Sequence, residues 1–268
     1  MLESRNMRPI LLSLGPYSVL AGPVFAGLSA LLAFFYYRAN RNHAKLTNDE
    51  LWTLMAYLTV GTFLGAVFLY LTLYGGGPIR NINYMARFRA IQGGTYYGNY
   101  WGCFAASMIF AYRHKKSLPL LADLLGCAAV LGLFLFRWGC LQHGCCHGTI
   151  TDLPWGITFK IPFYGIRSTL LGLPVHPVQI YSSAASLVIF LYAHFSLIKK
   201  RNSAVRPGDA FVATTVLYGI FRFLVEFVRG SDYGMLQPLG LTTSQLLAAA
   251  SIAAALALRK HWHKESSA

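Results

Sequence analysis

Seven apolar runs of membrane-spanning length constrain this chain more than any other feature. They cover roughly residues 17–37, 51–74, 97–112, 118–136, 178–198, 210–228 and 241–258. About 20 helical residues at 1.5 Å each cross a hydrocarbon core of about 30 Å. A backbone in lipid must satisfy its hydrogen bonds within its own segment, so each run is expected as a helix; the third is the shortest. The expected architecture is an all-α integral membrane protein of seven transmembrane helices. It forms a single polytopic domain over residues 1–268 with outer loops at 75–96 and 137–177.

Charge orients the bundle. Arg38, Arg41 and Lys45 follow the first run, and Arg113, Lys115 and Lys116 join the third to the fourth. Lys199, Lys200, Arg201 and Arg206 join the fifth to the sixth, and Arg259, Lys260 and Lys264 follow the seventh. With seven spans all four clusters fall on one side, which the positive-inside rule makes cytoplasmic. The N-terminus is then outside and the C-terminus inside. A net charge of +14, from 23 Lys and Arg against 9 acidic residues, suits either nucleic acid or a membrane surface. The repeated apolar runs select the membrane, and no nucleic-acid partner is expected. Five cysteines, an odd number, argue against a disulfide scaffold. Residues 1–9 precede an apolar run without a clear small-x-small cleavage site, so that run is expected to be retained.

The outer loops draw their cations almost entirely from arginine: Arg80, Arg87, Arg89, Arg137 and Arg167, with Lys160 the exception. Topology needs only charge, whereas phosphate recognition favours the planar guanidinium fork. Arg80, Arg87, Arg89 and Arg167 read better as interfacial anchors. Arg137, Arg222 and Arg229 lie at run ends among glycines and aromatics and read better as ligands of an anionic headgroup. Arg222, Glu226 and Arg229 are spaced i, i+4 and i+7, so they share a helix face and leave one net positive charge. A structural salt-bridge set is the equal alternative. Asp123 falls inside the fourth run, and His194 reads as an interhelical hydrogen-bond partner.

Arg137-Trp138-Gly139-Cys140-Leu141-Gln142-His143-Gly144-Cys145-Cys146-His147-Gly148 concentrates one guanidinium, three thiols and two imidazoles behind the fourth run. Cysteine and histidine are zinc ligands, but adjacent Cys145 and Cys146 are poorly spaced to face one ion. A disulfide on an oxidising face is a second reading, and close packing by small polarizable residues is the favoured one. His176-Pro177-Val178-Gln179-Ile180-Tyr181 opens the fifth run, with Pro177 suited to a first helical turn.

Taken together, these stretches resemble the prolipoprotein diacylglyceryl transferases of bacterial inner membranes. The likeness runs through Arg137–Cys140, Gly144–Gly148, Thr151-Asp152-Leu153-Pro154-Trp155-Gly156, His176–Tyr181, Phe221–Arg229 and Leu241-Thr242-Thr243-Ser244-Gln245. The resemblance implies transfer of a diacylglyceryl group from phosphatidylglycerol to a prolipoprotein cysteine thiol, yielding a thioether and glycerol 1-phosphate. Its implied partners are that lipid, the prolipoprotein signal peptide and the membrane, with the site toward the outer leaflet. No cofactor or metal is implied. The implied catalytic residues are Arg137 and Arg222, with Tyr97 as the candidate base. The implied substrate-binding residues are Asn99, Gly148, His176, Gln179, Tyr181, Glu226 and Arg229. The family often has His-Gly-Gly where this chain has Tyr96–Gly102. It has a Glu where Ser182 stands, and its Tyr-Gly is not evident near Ala21-Gly22-Pro23. A divergent paralogue with another acceptor or lipid is therefore the runner-up, ahead of a non-catalytic lipid-binding or transport protein. A transporter would be expected to show repeated halves, and none is evident.

Overall fold

The computed structural model describes residues 2–3, 10–14, 17–74, 96–159, 168–199, 205–229, 235–236 and 240–265. Arg80, Arg87, Arg89, Lys160, Arg167, Lys200 and Arg201 lie outside the described residues. Among those described, seven long helices follow the seven runs: α1 (Ala21–Asn40), α2 (Asn48–Tyr74), α3 (Tyr96–His114), α4 (Leu118–His143), α5 (Val178–Tyr192), α6 (Asp209–Val225) and α7 (Thr243–Glu265). α5 continues as π-helical turns over Ala193–Lys199. Three segments, Asn48–Thr72, Leu118–His143 and Val178–Lys199, are long and apolar enough to cross a membrane.

Short strands trim the helix ends and correct several expected boundaries. They are β1 (Leu2–Glu3), β2 (Ile10–Leu14), β3 (Tyr17–Leu20), β4 (Ile157–Thr158), β5 (Pro174–Val175), β6 (Met235–Leu236) and β7 (Leu241–Thr242). The first run does not start as helix: β3 pairs antiparallel with β2, and α1 begins only at Ala21. The seventh starts as β7, paired with β6. α4, in contrast, overruns its expected end at Phe136, because nothing breaks it until Gly144 adopts φ +73°. Arg137 is therefore a helical residue and not the first of a loop. α6 stops at Val225, and Phe227, Val228 and Arg229 donate to the carbonyls three residues back, a tightened last turn. Glu226 and Arg229 thus sit just past the helix.

α4 is the hub, packed against α1, α3, α5 and α6, while α2 pairs with α3 and α6 with α7. The α2–α3 crossing is built from Gly61 and Gly65 against Gly98 and Gly102. A Cβ on any of Gly61, Gly65 or Gly102 would collide with the facing backbone. Small residues four apart on both helices permit this backbone-to-backbone approach.

One end of the bundle gathers the basic segments. Lys116 donates to the Lys45 carbonyl at 2.8 Å and pairs with Glu50 at 2.8 Å. Arg259 pairs with Asp209 at 2.9 Å. Asp123 stands near the start of α4 and closes this end. α6 begins after Gly208, which has no side chain to cap it. Asp123 supplies the cap from a neighbouring helix, accepting from the backbone N–H of Gly208 (3.0 Å), Ala210 (2.9 Å) and Phe211 (3.1 Å). A carboxylate is favoured there by the free N–H groups and the positive end of the helix dipole. His43 Nε2 adds a contact at 3.3 Å. As expected of His194, its Nδ1 lies 3.2 Å from the Tyr36 hydroxyl across α1 and α5.

Candidate active site

The opposite end of α4 carries Arg137, 8% exposed, whose Nε is buried without a hydrogen-bond partner. The Tyr218 hydroxyl on α6 lies beside the Arg137 guanidinium without a well-formed hydrogen bond. Tyr218 interacts with Arg222 as well, so one phenol stands between the two arginines. Tyr97, at the start of α3, interacts with Tyr218, Arg222 and Glu226, and its hydroxyl too has no partner. Tyr96 packs on both Tyr97 and Tyr218, with ring centroids 5.6 and 5.0 Å away. Most buried polar atoms in proteins are hydrogen-bonded. The Arg137 Nε and the Tyr97 and Tyr218 hydroxyls, set around the two arginines, make this a place prepared for a polar ligand.

Arg222 is 7% exposed and tied on two sides. Its Nη1 pairs with Glu226, and its Nη2 donates to the Ser244 hydroxyl at 2.8 Å. Arg229 reaches Glu226 at 4.0 Å. The expected Arg-Glu-Arg set forms across the helix end, and one positive charge stays uncompensated within it. Ser244 belongs to a capping box: Thr242 N–H donates to Gln245 Oε1 (2.9 Å) and Gln245 N–H to Thr242 Oγ1 (3.2 Å). The box fixes the first turn of α7 and so aims Ser244 at Arg222. Sequence reasoning assigned no role to Ser244 or Tyr218. The Thr-x-x-Gln spacing was a readable signal for the first, and nothing local marked the second.

A second set of residues forms the mouth. Gly148 N–H donates to the His176 carbonyl at 2.8 Å, and Thr149 N–H to the Val228 carbonyl at 2.9 Å. Gly148 also bridges to Arg229. A Cβ at Gly148 would strike the Val228 carbonyl and the His176 side chain, so only glycine lets this segment pass between α5 and the end of α6. Gln179 Nε2 donates to the Cys145 carbonyl at 2.6 Å, leaving Oε1 unpartnered. The Tyr181 hydroxyl accepts from Trp155 Nε1 at 2.8 Å and lies 3.3 Å from His176 Nδ1. The structure thus joins Gly148, His176 and Tyr181 in one network, ties it to the arginine set through Arg229, and holds Gln179 on the neighbouring Cys145 backbone. Asn99 stands apart in the first turn of α3, with Oδ1 buried and unpartnered. Ser182 is buried on α5.

The thiols depart from expectation. Despite their adjacency, Cys145 and Cys146 converge with Cys140, all three Sγ atoms lying within 4.8 Å of one another. Cys146 achieves this with φ +63°. A non-glycine residue in that region stores strain on the order of 1–3 kcal/mol. Hydrogen bonds with Cys140 and Cys145, then Arg229 and Arg137, hold the Cys146 thiol well below the usual thiol range.

An apolar cavity of about 1050 Å³ opens between α2, α3 and α7. Gly61, Leu64, Phe68, Trp101, Leu247 and Ala254 help line it, and Tyr97 stands among its walls. An alkyl-lined space and a buried cationic centre therefore share one residue.

Comparison with known proteins gives this arrangement a family. The family model described as "Prolipoprotein diacylglyceryl transferase" matches residues 9–260. A "Phosphatidylglycerol--prolipoprotein diacylglyceryl transferase" of Solidesulfovibrio magneticus is 33% identical over 253 residues, covering 89% of this chain and 88% of its own. Relatives with the same name from Geobacter sulfurreducens (32% over 213 residues, 76% and 75% covered) and Wolbachia pipientis subsp. Culex pipiens (30% over 249 residues, 90% of each) are similar. With the match reaching into every long helix described, this chain belongs to the prolipoprotein diacylglyceryl transferase family.

Proposed function

We propose that the protein transfers a diacylglyceryl group from phosphatidylglycerol to the cysteine thiol of a prolipoprotein, in the inner membrane of a bacterium. The observation that carries this reading is the buried Arg137 guanidinium with its unpartnered Nε, beside the Tyr218 phenol that links it to Arg222 and Tyr97. Phosphoryl oxygens fit those donors, and the adjoining apolar cavity fits acyl chains.

In this mechanism the phosphate of the lipid sits on Arg137, with Arg222 as a second cation held in place by Glu226 and Ser244. The thiol sulfur attacks the diacylglyceryl carbon attached to the phosphate oxygen. A carbon–sulfur bond forms and the carbon–oxygen bond breaks. Its electron pair leaves with glycerol 1-phosphate, whose growing charge the arginines stabilise. A phenol of ordinary pKa about 10 is protonated at neutral pH. Tyr97 therefore accepts the thiol proton as it passes its own to a phosphate oxygen, a relay in which no phenolate accumulates. His176, Gln179, Tyr181 and Gly148 shape the side from which the signal peptide arrives, Arg229 adds charge at its edge, and Asn99 binds substrate from the first turn of α3.

The reading places seven spans across the membrane, the site toward the outer leaflet, the N-terminus outside and the C-terminus in the cytoplasm. The gathering of the basic segments at the end opposite Arg137 supports that orientation. The test is complementation of a conditional transferase-deficient strain, read by lipidation of a reporter lipoprotein. Rescue by the wild type but not by Arg137→Ala is expected. Failure of the wild type at normal membrane levels overturns the reading in favour of another acceptor or lipid.

A further inference from the structure

The transfer chemistry above makes no use of the three thiols at the end of α4. We infer that Cys140, Cys145 and Cys146 form a three-thiolate binding site for a thiophilic d10 cation of the zinc type. The Sγ atoms lie within 4.8 Å of one another. Zinc with sulfur ligands at about 2.3 Å sets them about 3.8 Å apart in a tetrahedron. About 1 Å of closure, within the reach of side-chain rotation, completes the site.

The backbone supplies an independent argument. Adjacent cysteines in extended or helical chain aim away from each other, which is the objection to pairing Cys145 with Cys146. The left-handed conformation of Cys146, φ +63°, turns its thiol back toward the other two. Chain reversal alone does not require this, since Gly144 already ends α4 at φ +73°. A turn that needed positive φ for its own sake would select glycine. Here the strained conformation belongs to a residue with a soft ligand atom, and it is the conformation that brings three such atoms together.

The donor set defines the ion. Among the described residues the cluster consists of thiols alone, with no carboxylate or imidazole. Thiolates select zinc and cuprous copper over magnesium, calcium or manganese. Three thiolates around a divalent ion carry one net negative charge, and Arg137 and Arg229 both act electrostatically on Cys146. The ion would tie the last turn of α4, which bears Arg137, to the segment that runs on through Gly148. Three protein ligands leave one tetrahedral position open, as in zinc sites that bind an exogenous group. An incoming cysteine thiol fits that position, where the ion would ease loss of its proton to Tyr97 in the relay above. Only this use of the fourth position rests on the transfer reading; ion binding does not.

The test uses the full chain in detergent micelles, reduced, loaded with Zn2+ and dialysed. Elemental analysis is expected to give one zinc per chain, falling at least tenfold in Cys146→Ser and in Cys145→Ser. Cys127→Ser, which removes a buried thiol elsewhere on α4, should keep its zinc. Zinc should also protect three cysteines of the wild-type chain from maleimide alkylation, a readout independent of whether a variant folds. Equal zinc in all variants, no protection, or a Cys140-containing disulfide in place of the ion overturns the site. Cobalt(II) substituted for zinc should change its sulfur-to-metal charge-transfer band when a cysteine-bearing signal peptide is added. Stoichiometric ion with no such response overturns the use of the fourth position alone.

Discussion

α4 buries a charge near each end, and the two are treated in opposite ways. Asp123 accepts three backbone N–H groups from the start of α6 and the glycine before it, and lies against His43, so both carboxylate oxygens are occupied. Arg137, about 21 Å further along the same helix at 1.5 Å per residue, keeps a buried Nε with no partner. Burying a polar group without a hydrogen bond costs about 1–3 kcal/mol, and a charged one costs more. The saturated charge stabilises the fold. The unsaturated one retains interaction energy for a ligand, and the Tyr97 and Tyr218 hydroxyls between it and Arg222 also lack well-formed hydrogen bonds.

This contrast can be broken by substitution. The largest effect should come from Arg137→Lys, which keeps charge and loses the planar fork. Transfer is expected to fall on the order of 10³-fold, about 4 kcal/mol of transition-state stabilisation. The detergent-solubilised melting temperature should stay within a few degrees of wild type or rise. A large drop in melting temperature would place Arg137 with Asp123 as a structural charge. Asp123→Ala should do the reverse, costing about 3 kcal/mol of stability as three N–H groups lose their acceptor. Activity per folded molecule should be retained, and a selective loss of activity would sink the distinction.

Smaller changes sharpen it. Ser244→Ala removes one hydrogen bond to Arg222 while the Glu226 pair remains, so about a tenfold loss of transfer, about 1.4 kcal/mol, is expected with little change in lipid affinity. Thr242→Val dismantles half of the capping box and should lower stability by about 1 kcal/mol. It should impair transfer only to the extent that Ser244 is misplaced, and assaying Thr242→Val with and without Ser244→Ala would reveal that coupling.

Much of the fold was legible because apolar runs of membrane length leave helices as the main solution. The ends were less legible. Residues 17–20 are as apolar as the helix that follows, and their pairing with Ile10–Leu14 depends on a partner that no helical periodicity reveals. The extension of α4 past Phe136 turned on what was absent, a breaker before Gly144. Arg222 and Glu226 were readable from their i, i+4 spacing even though the helix stops at Val225. Tyr218 was not, because one tyrosine in an apolar helix carries no mark of which neighbour it meets. Convergence of the thiols was hidden as well, since it depends on a left-handed cysteine that composition and spacing give no reason to expect.

The glycine crossing of α2 and α3 has a mechanical consequence. Two helices meeting through their backbones have few side chains between them to rearrange, so that wall of the apolar cavity is expected to move as one unit. The facing wall belongs to α7, which packs chiefly on α6 and reaches α3 through the hydrogen bond from Trp101 to Ser251 and the packing of Trp262 near Phe104. A two-tailed lipid that needs more room is then expected to gain it by displacement of α7, at the expense of the Trp101–Ser251 hydrogen bond and the Phe104–Trp262 contact.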